Sequence, residues 1–185
     1  MSIKVLSDEV IYDGRFIQVI KRKFSGRDGR TGVWEMVKRK TYGRIVAVAA
    51  ITPEKEILLE KIFRVPLNSY TLELPAGLMD VAGESELEAI RRELLEETGY
   101  VSDHIEFLTG GPFNPGLVAD ELAIYLARDI RLVSEPKLEN SEDIEVIKVP
   151  LKDLLNFLSS QKTHKPDVKI ATVIPHLMKL GLMEA

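Results

Sequence analysis

The stretch from Ser85 to Gly99 limits the possible folds of this 185-residue chain more than any other, because it carries both the start and the stop signal of one helix. Ser85 is followed three residues later by Glu88, the capping-box spacing in which each side chain bonds the other residue's backbone amide. Gly99 stands where a left-handed residue ends a helix. The apolar positions between them follow helical spacing: Leu87, Ala89, Ile90 and Leu94. The sequence therefore predicts a helix over Glu86–Thr98 with one face in a core.

The segments around this helix favour β-strands. Alternating stretches separated by turn residues predict hairpins in the first forty or so residues. Predicted strands are Val10–Asp13, Phe16–Arg22, Trp34–Arg39, Arg44–Thr52, Ile57–Phe63, Ile105–Leu108, Glu121–Ala127 and Ile144–Val149. A Gly/Pro loop is expected from Gly110 to Gly116, and closing helices over Leu151–Leu158 and Val168–Leu180. This order predicts an α/β (α+β) fold with a mixed sheet, in which residues 1–42 form a small N-terminal antiparallel sheet and residues 43–185 the main domain.

Composition narrows the classes of function. With 25 Lys and Arg against 29 Asp and Glu, the formal charge is −4, which gives no basic surface for duplex nucleic acid. The longest unbroken apolar run is the seven residues 45–51, far short of the roughly 20 that a membrane span needs. The absence of cysteine fits a reducing compartment, and the charged first residues do not resemble a signal peptide. We therefore expect a cytoplasmic protein with no nucleic-acid or membrane partner.

Three acidic side chains crowd the last turns of the predicted helix. Glu93, Glu96 and Glu97 are three and four residues apart, so they project from one side, opposite the apolar stripe or flanking it. The negative end of the helix dipole lies there and like charges repel, so something must compensate them. One interpretation is a solvated face neutralised by Arg91 and Arg92. The other is a divalent cation, since Mg²⁺ prefers carboxylates together with phosphate oxygens.

The pattern that contains these acids consists of Gly77, Glu84, Arg92, Glu93, Leu94, Glu96, Glu97 and Gly99. It resembles the signature of the Nudix hydrolases, G-x5-E-x7-R-E-U-x-E-E-x-G-U, where U is an apolar residue. Every fixed position from Glu84 to Gly99 matches. One extra residue separates Gly77 from Glu84, and we expect it to form a bulged turn that leaves the metal site intact. Tyr100 replaces the usual aliphatic residue.

Further segments resemble the branch of ADP-ribose pyrophosphatases and nucleoside-diphosphate-sugar hydrolases. They are Phe63-Arg64, Leu74-Pro75-Ala76-Gly77 and Asn114-Pro115-Gly116. The resemblance implies a Nudix-type α/β/α sandwich and hydrolysis of a nucleoside diphosphate sugar with Mg²⁺, or with Mn²⁺. ADP-ribose, giving AMP and ribose 5-phosphate, is the first candidate substrate, and GDP-mannose or another nucleotide sugar is the second. A candidate from another class is a module that binds a nucleotide sugar without cleaving it. Because relatives pair their N-terminal sheets, the resemblance also implies a homodimer.

The resemblance assigns roles to single positions of the motif. Glu93, Glu97 and the backbone carbonyl of Ala76 are the expected metal ligands. Glu96 is expected as a further ligand or as a catalytic carboxylate beside the metal. The remaining motif residues are expected to support the loop and the helix: Gly77, Glu84, Arg92 and Gly99.

Outside the motif, the resemblance points to a substrate site and a general base. Arg64 is expected to contact the substrate, because a guanidinium group matches phosphate geometry, although a surface ion pair is the alternative. Trp34 is a candidate for stacking on the base, or a packing residue. The loop residues Pro115 and Gly116 complete the expected substrate site. Glu142 in the acidic loop before the last strand is the first candidate for the general base, and Glu139 is the second.

Overall fold

The computed structural model describes residues 2–184, in which thirteen strands and three α-helices follow one another along the chain. The first strands are β1 (Lys4–Asp13), β2 (Ile17–Ser25), β3 (Thr31–Arg39), β4 (Ile45–Ala50), β5 (Glu56–Arg64), β6 (Ser69–Glu73) and β7 (Ala76–Leu78). After helix α1 (Glu86–Thr98) come β8 (Tyr100–Val101), β9 (His104–Pro112), β10 (Glu121–Arg128), β11 (Arg131–Leu132) and β12 (Ile144–Pro150). The chain closes with α2 (Leu154–Ser160), β13 (Lys165–Pro166) and α3 (Val168–Lys179).

The strands form a separate N-terminal sheet and two larger sheets, with a short fourth pair. Strands β1, β2 and β3 make an antiparallel three-stranded sheet. One four-stranded sheet has the order β7-β4-β10-β9, in which β4 and β10 are parallel and the other pairs antiparallel. The other has the order β12-β5-β6-β13, and β8 pairs with β11. The predicted α/β fold with a mixed sheet is confirmed, and it places β4 and β7 beside α1.

Strand β4 is covered on both faces, as its unbroken apolar run predicts. Its residues alternate between two hydrophobic clusters, so that Val46 and Val48 lie with Ile90 and Leu94 of α1. The other face packs in a cluster that also contains residues of α2 and α3. Helices therefore cover both sides of the strand layers. Helix α1 is the one that lies against β4 and β7.

Helix α1 begins and ends where the sequence predicts. Both bonds of the capping box between Ser85 and Glu88 are present, and Gly99 has the left-handed value φ = 76°. A side chain at Gly99 would also collide with the backbone carbonyl of Ser134. The cap residues alone determine these limits, because each satisfies backbone groups that the helix leaves unbonded.

The prediction of a loop from Gly110 to Gly116 is partly wrong, because β9 continues through Gly110 to Pro112. The backbone of these residues pairs with residues 121–123 of β10, and a side chain at Gly110 would approach the Leu122 carbonyl oxygen to 2.7 Å. Glycine thus allows a close strand pairing here rather than a turn. None of the helices within residues 2–184 is long and apolar enough to cross a membrane.

Candidate active site

The three acids of α1 line a cleft of about 470 Å³ between the helix, the end of β5 and the loop before β12. Glu93, Glu96 and Glu97 form one wall of this cleft, and Ala76 and Gly77 of β7 lie beside them. The sequence predicts that these acids lie opposite the apolar stripe or flank it. Glu97 flanks the stripe, three residues after Leu94, and only 5% of its surface is exposed.

Glu97 is held in this position by the strand in front of it. The backbone N–H of Ala76 donates a hydrogen bond to Oε2 of Glu97 at 3.1 Å. Burial raises the pKa of the Glu97 carboxyl group strongly, and the negative charges of Glu60 and Glu93 raise it further. A buried carboxylate with other acids around it needs a cation or a proton to be stable.

Arg92 organises the acids on the exposed side of the cluster. Its guanidinium group donates two hydrogen bonds to Glu84, at 2.9 and 3.0 Å, and one to Glu93 at 2.8 Å. The extra residue of the preceding loop is accommodated in a turn with Gly83 at φ = 84°, so Glu84 still reaches Arg92. The resemblance assigns this pair a supporting role, and the contacts are of the kind such a role requires.

Position 77 has no room for a side chain while Glu93 keeps its place. A Cβ atom built at position 77 would overlap the carboxyl group of Glu93. Burial raises the pKa of Glu93 to about 7, and the nearby charge of Arg92 works in the opposite direction. The β7 backbone and the helix acids are thus as close as their atoms permit.

A fourth acid of this cluster, Glu60 on β5, was missed by the sequence analysis. It is 2% exposed, and its Oε1 atom has no hydrogen-bond partner within residues 2–184. Burial raises its pKa, while contact with Glu97 and the charge of Arg64 lower it. The available signal was a charged residue among the apolar residues of a buried strand, next to Leu58 and Leu59.

The donor set fits a hard divalent cation. The groups that meet here are carboxylates of α1, the unpartnered oxygen of Glu60 and the backbone of β7, all of which supply the oxygen ligands that Mg²⁺ prefers. Within the described part of the chain, no three acidic or histidine side chains are already arranged around one point. Arg92 holds Glu93 and Glu96 on its own side of the cleft, the latter at 3.4 Å.

The two candidate bases, Glu139 and Glu142, line the same cleft from the loop before β12. These residues cap each other's loop, since the N–H of Glu139 donates to Oε2 of Glu142 at 2.8 Å and the N–H of Glu142 to the Glu139 carbonyl at 3.0 Å. The charge of Glu142 contributes to the raised pKa values of Glu97 and Glu60.

Arg64 lies where the acidic cleft meets a second cavity. This neighbouring cavity, of about 450 Å³, is lined among others by Arg39, Phe113 and Lys169. Arg64 lines both cavities, together with Ala76 and other residues of β7. An elongated anionic ligand that fills both cavities would therefore pass Arg64.

The other predicted substrate residues form a separate group. The indole N–H of Trp34 donates to the carbonyl of Gly116 at 2.9 Å, which places Trp34 beside the loop of Pro115. Trp34 is 52% exposed, and neither it nor Gly116 lines the two cavities described above. Within one chain, the structure brings these residues to each other but not to the acids.

Comparison with known proteins agrees with this geometry. The sequence pattern of the NUDIX domain matches residues 41–170. An ADP-ribose pyrophosphatase of Bacillus subtilis is 31% identical over 183 residues, covering 98% of this chain and 96% of that protein. An ADP-sugar pyrophosphatase of Mus musculus is 32% identical, covering 84% of this chain and 77% of that protein. A crystal structure of an ADP compounds hydrolase has the same fold, with a TM-score of 0.77 at 23% identity, covering 98% of this chain and 96% of that one.

Proposed function

The chain belongs to the NUDIX domain family, and we propose that it hydrolyses the pyrophosphate bond of a nucleoside diphosphate sugar. The proposed reaction converts ADP-ribose and water into AMP and ribose 5-phosphate. The observation that carries this proposal is the buried acid cluster of α1, which adjoins a second cavity at Arg64. A module that only binds nucleotide sugars would not need the three helix carboxylates that line this cleft.

The metal ligands in this proposal are Glu93, Glu97 and the carbonyl group of Ala76, with Glu96 as a further ligand. Bound Mg²⁺, or Mn²⁺ in its place, would neutralise the diphosphate and lower the pKa of an attacking water. The support comes from the oxygen-only donor set and from the unpartnered Glu60 oxygen behind Glu97. Gly77 and Arg92 keep Glu93 in place, through close packing and through the 2.8 Å hydrogen bond.

Glu142 is the proposed general base, since it lines the cleft of the helix acids and its charge acts on Glu97. It would accept the proton of the water that attacks phosphorus, and the leaving phosphate oxygen departs on the opposite side. Glu139 remains the second candidate, because it lines the same cleft. The two are separable by exchanging each for glutamine and comparing turnover.

Arg64 is proposed to bind the diphosphate, which would span the two cavities. Trp34, Pro115 and Gly116 are proposed to bind the base, and this requires a second chain, since they lie outside the cavities of one chain. The N-terminal unit, residues 1–42, is accordingly proposed as the dimerisation region of a homodimer, and residues 43–185 as the hydrolase domain. We also propose a cytoplasmic location, which the cysteine-free sequence favours.

The test is a set of nucleotide sugars with identification of the products. Purified protein with Mg²⁺ is expected to release AMP from ADP-ribose faster than it cleaves GDP-mannose. Faster cleavage of GDP-mannose would support the proposed reaction type and contradict ADP-ribose as the preferred substrate. Binding of ADP-ribose without any product would favour the non-hydrolysing module instead.

A further inference from the structure

Glu73, the last residue of β6, forms the most heavily bonded buried carboxylate near the cleft. Nε and Nη2 of Arg64 donate to its two oxygens at 2.7 and 3.0 Å. The Thr71 hydroxyl donates to it at 2.7 Å, and Nζ of Lys169 from α3 at 3.2 Å. The Glu73 side chain is 6% exposed, whereas that of Arg64 is 41% exposed. The acid is therefore fixed by three elements, and the arginine extends from it toward solvent.

The way in which Glu73 binds Arg64 determines which part of the guanidinium group is free. The pair is formed through the Nε side, so the two N–H groups of Nη1 have no hydrogen-bond acceptor within residues 2–184. Arg64 lines both cavities, so these donors are available at their junction. A side-on pair of this kind leaves a directed donor for an anion, and it fixes the plane in which that donor points.

Glu73 also keeps Arg64 away from the metal-site acids. Glu60 and Glu73 are directly paired across β5 and β6, so both project from the same face as Arg64. The charges of Glu97 and Glu60 act on the Arg64 guanidinium group as well. Without the anchor at Glu73, Arg64 could turn and pair with Glu97, where it would compete with a cation.

We propose that Glu73 is a positioning residue that holds the guanidinium group of Arg64 at the junction of the two cavities for the substrate's diphosphate. This inference rests on the proposed function, and it assigns Glu73 no contact with the substrate. Thr71 and Lys169 act on Glu73 and keep the carboxylate in place. The C-terminal helix α3 thereby contributes to the geometry of the phosphate site.

The decisive variant is Glu73→Asp, which keeps the charge that neutralises Arg64 and Lys169 but withdraws the carboxylate by one methylene group. We expect KM for ADP-ribose to rise about tenfold or more with a smaller change in kcat, because a displacement of about 1 Å in a positioned group is costly. The matched control is Glu145→Asp, whose exposed 2.8 Å pair with Lys61 lies on the neighbouring strand β12. Wild-type KM in Glu73→Asp would overturn the proposal.

A second measurement tests the link between the two residues even if one variant is unstable. Free guanidinium ion should restore part of the activity of Arg64→Ala, since Glu73 can bind it. The same ion should not restore Arg64→Ala combined with Glu73→Gln. Equal restoration in both, or restoration in neither, contradicts the proposal. If wild-type protein releases no AMP, the proposed function fails, and calorimetric binding of ADP-ribose to the same variants then decides whether Glu73 acts through Arg64.

Discussion

At the scale of single residues, the buried acids face two opposing demands. Glu60 and Glu97 lie almost entirely out of solvent, and the negative charge of Glu60 adds to burial in raising the pKa of Glu97. Such a pair is unfavourable for the fold by itself and useful only when a cation joins it. The acid cluster thus lowers the stability of the fold for the sake of function. The stability and the activity of a variant can be measured separately.

Glu97→Gln should separate stability from activity. We expect kcat to fall at least about 100-fold, because even a residue that only supports a metal ligand commonly costs about 10–100-fold. Without added metal, the melting temperature should stay equal or rise, since the variant removes a carboxyl group whose charged form is disfavoured by burial and by the neighbouring acids. Activity assays and thermal melts with a chelator test both effects, with the exposed Glu54→Gln as control. A variant with unchanged turnover would refute the role of Glu97.

Gly77→Ala tests the close contact between β7 and Glu93. The added methyl group would occupy the space of the Glu93 carboxyl group, so this side chain must move away from the cleft. We expect weaker Mn²⁺ binding and a loss of turnover that high metal concentration partly restores. Titration of Mn²⁺ by electron paramagnetic resonance measures this directly. Unchanged Mn²⁺ affinity would show that Glu93 does not depend on Gly77.

At the scale of elements, local signals explain what could be predicted. The limits of α1 follow from Ser85, Glu88 and Gly99, which act within a few residues of one another. The roles of Glu60 and Glu73 could not be predicted, because they depend on the pairing of β5 with β6 and on the packing of α1 and α3. Similarly, Gly110 resembled a loop residue, and only its partner strand β10 shows why the chain remains extended.

Ser85→Ala should weaken α1 without changing its chemistry. The hydroxyl group accepts from the N–H of Glu88 at 3.3 Å, and its loss typically costs about 1 kcal/mol. For a chain of this size that corresponds to a fall in Tm of about 2–4 °C. Activity per folded molecule should be unchanged, since Ser85 lies outside the cleft. Ser159→Ala, at the exposed end of α2, is the control, and an equal Tm for both variants would contradict the capping role.

The contacts among β5, β6 and α3 predict a dependence of stability on pH. Burial by itself raises the pKa of Glu73, but the hydrogen bonds from Arg64 and the charge of Lys169 bring it well below its ordinary value. A lowered pKa in the folded state stabilises the protein above the unfolded value of about 4.3, and this contribution is lost as the pH falls further. Denaturation by urea should therefore show a large difference between wild type and Glu73→Gln at pH 7 that shrinks below pH 4. A difference that stays constant with pH would contradict this link.

At the scale of the whole molecule, the N-terminal sheet does not have a core of its own within one chain. All ten residues of β1 are exposed, among them the large apolar residues Val5, Leu6, Val10, Ile11 and Tyr12. A long apolar edge strand readily pairs with other chains, and natural proteins usually cover it. Sequence pattern alone predicts the strands of this sheet, but it cannot show that they pack on so little of their own chain.

Light scattering with size-exclusion chromatography should therefore give twice the 20.8 kDa mass of the chain. A bulge at Ile11 breaks the alternation of β1 after Val10, but Glu9 and Val10 pair regularly with β2, so their side chains point to opposite faces of the sheet. Of the variants Glu9→Lys and Val10→Lys, the one that faces the second chain should give the monomer mass, and the other serves as its control. Because Trp34 and Gly116 lie apart from the cavities of their own chain, the monomeric variant should also bind ADP-ribose more weakly. If the wild type gives a single 20.8 kDa species, the second chain does not contribute to the site. The base would then have to bind within one chain, in the cavity beside Arg39 and Phe113.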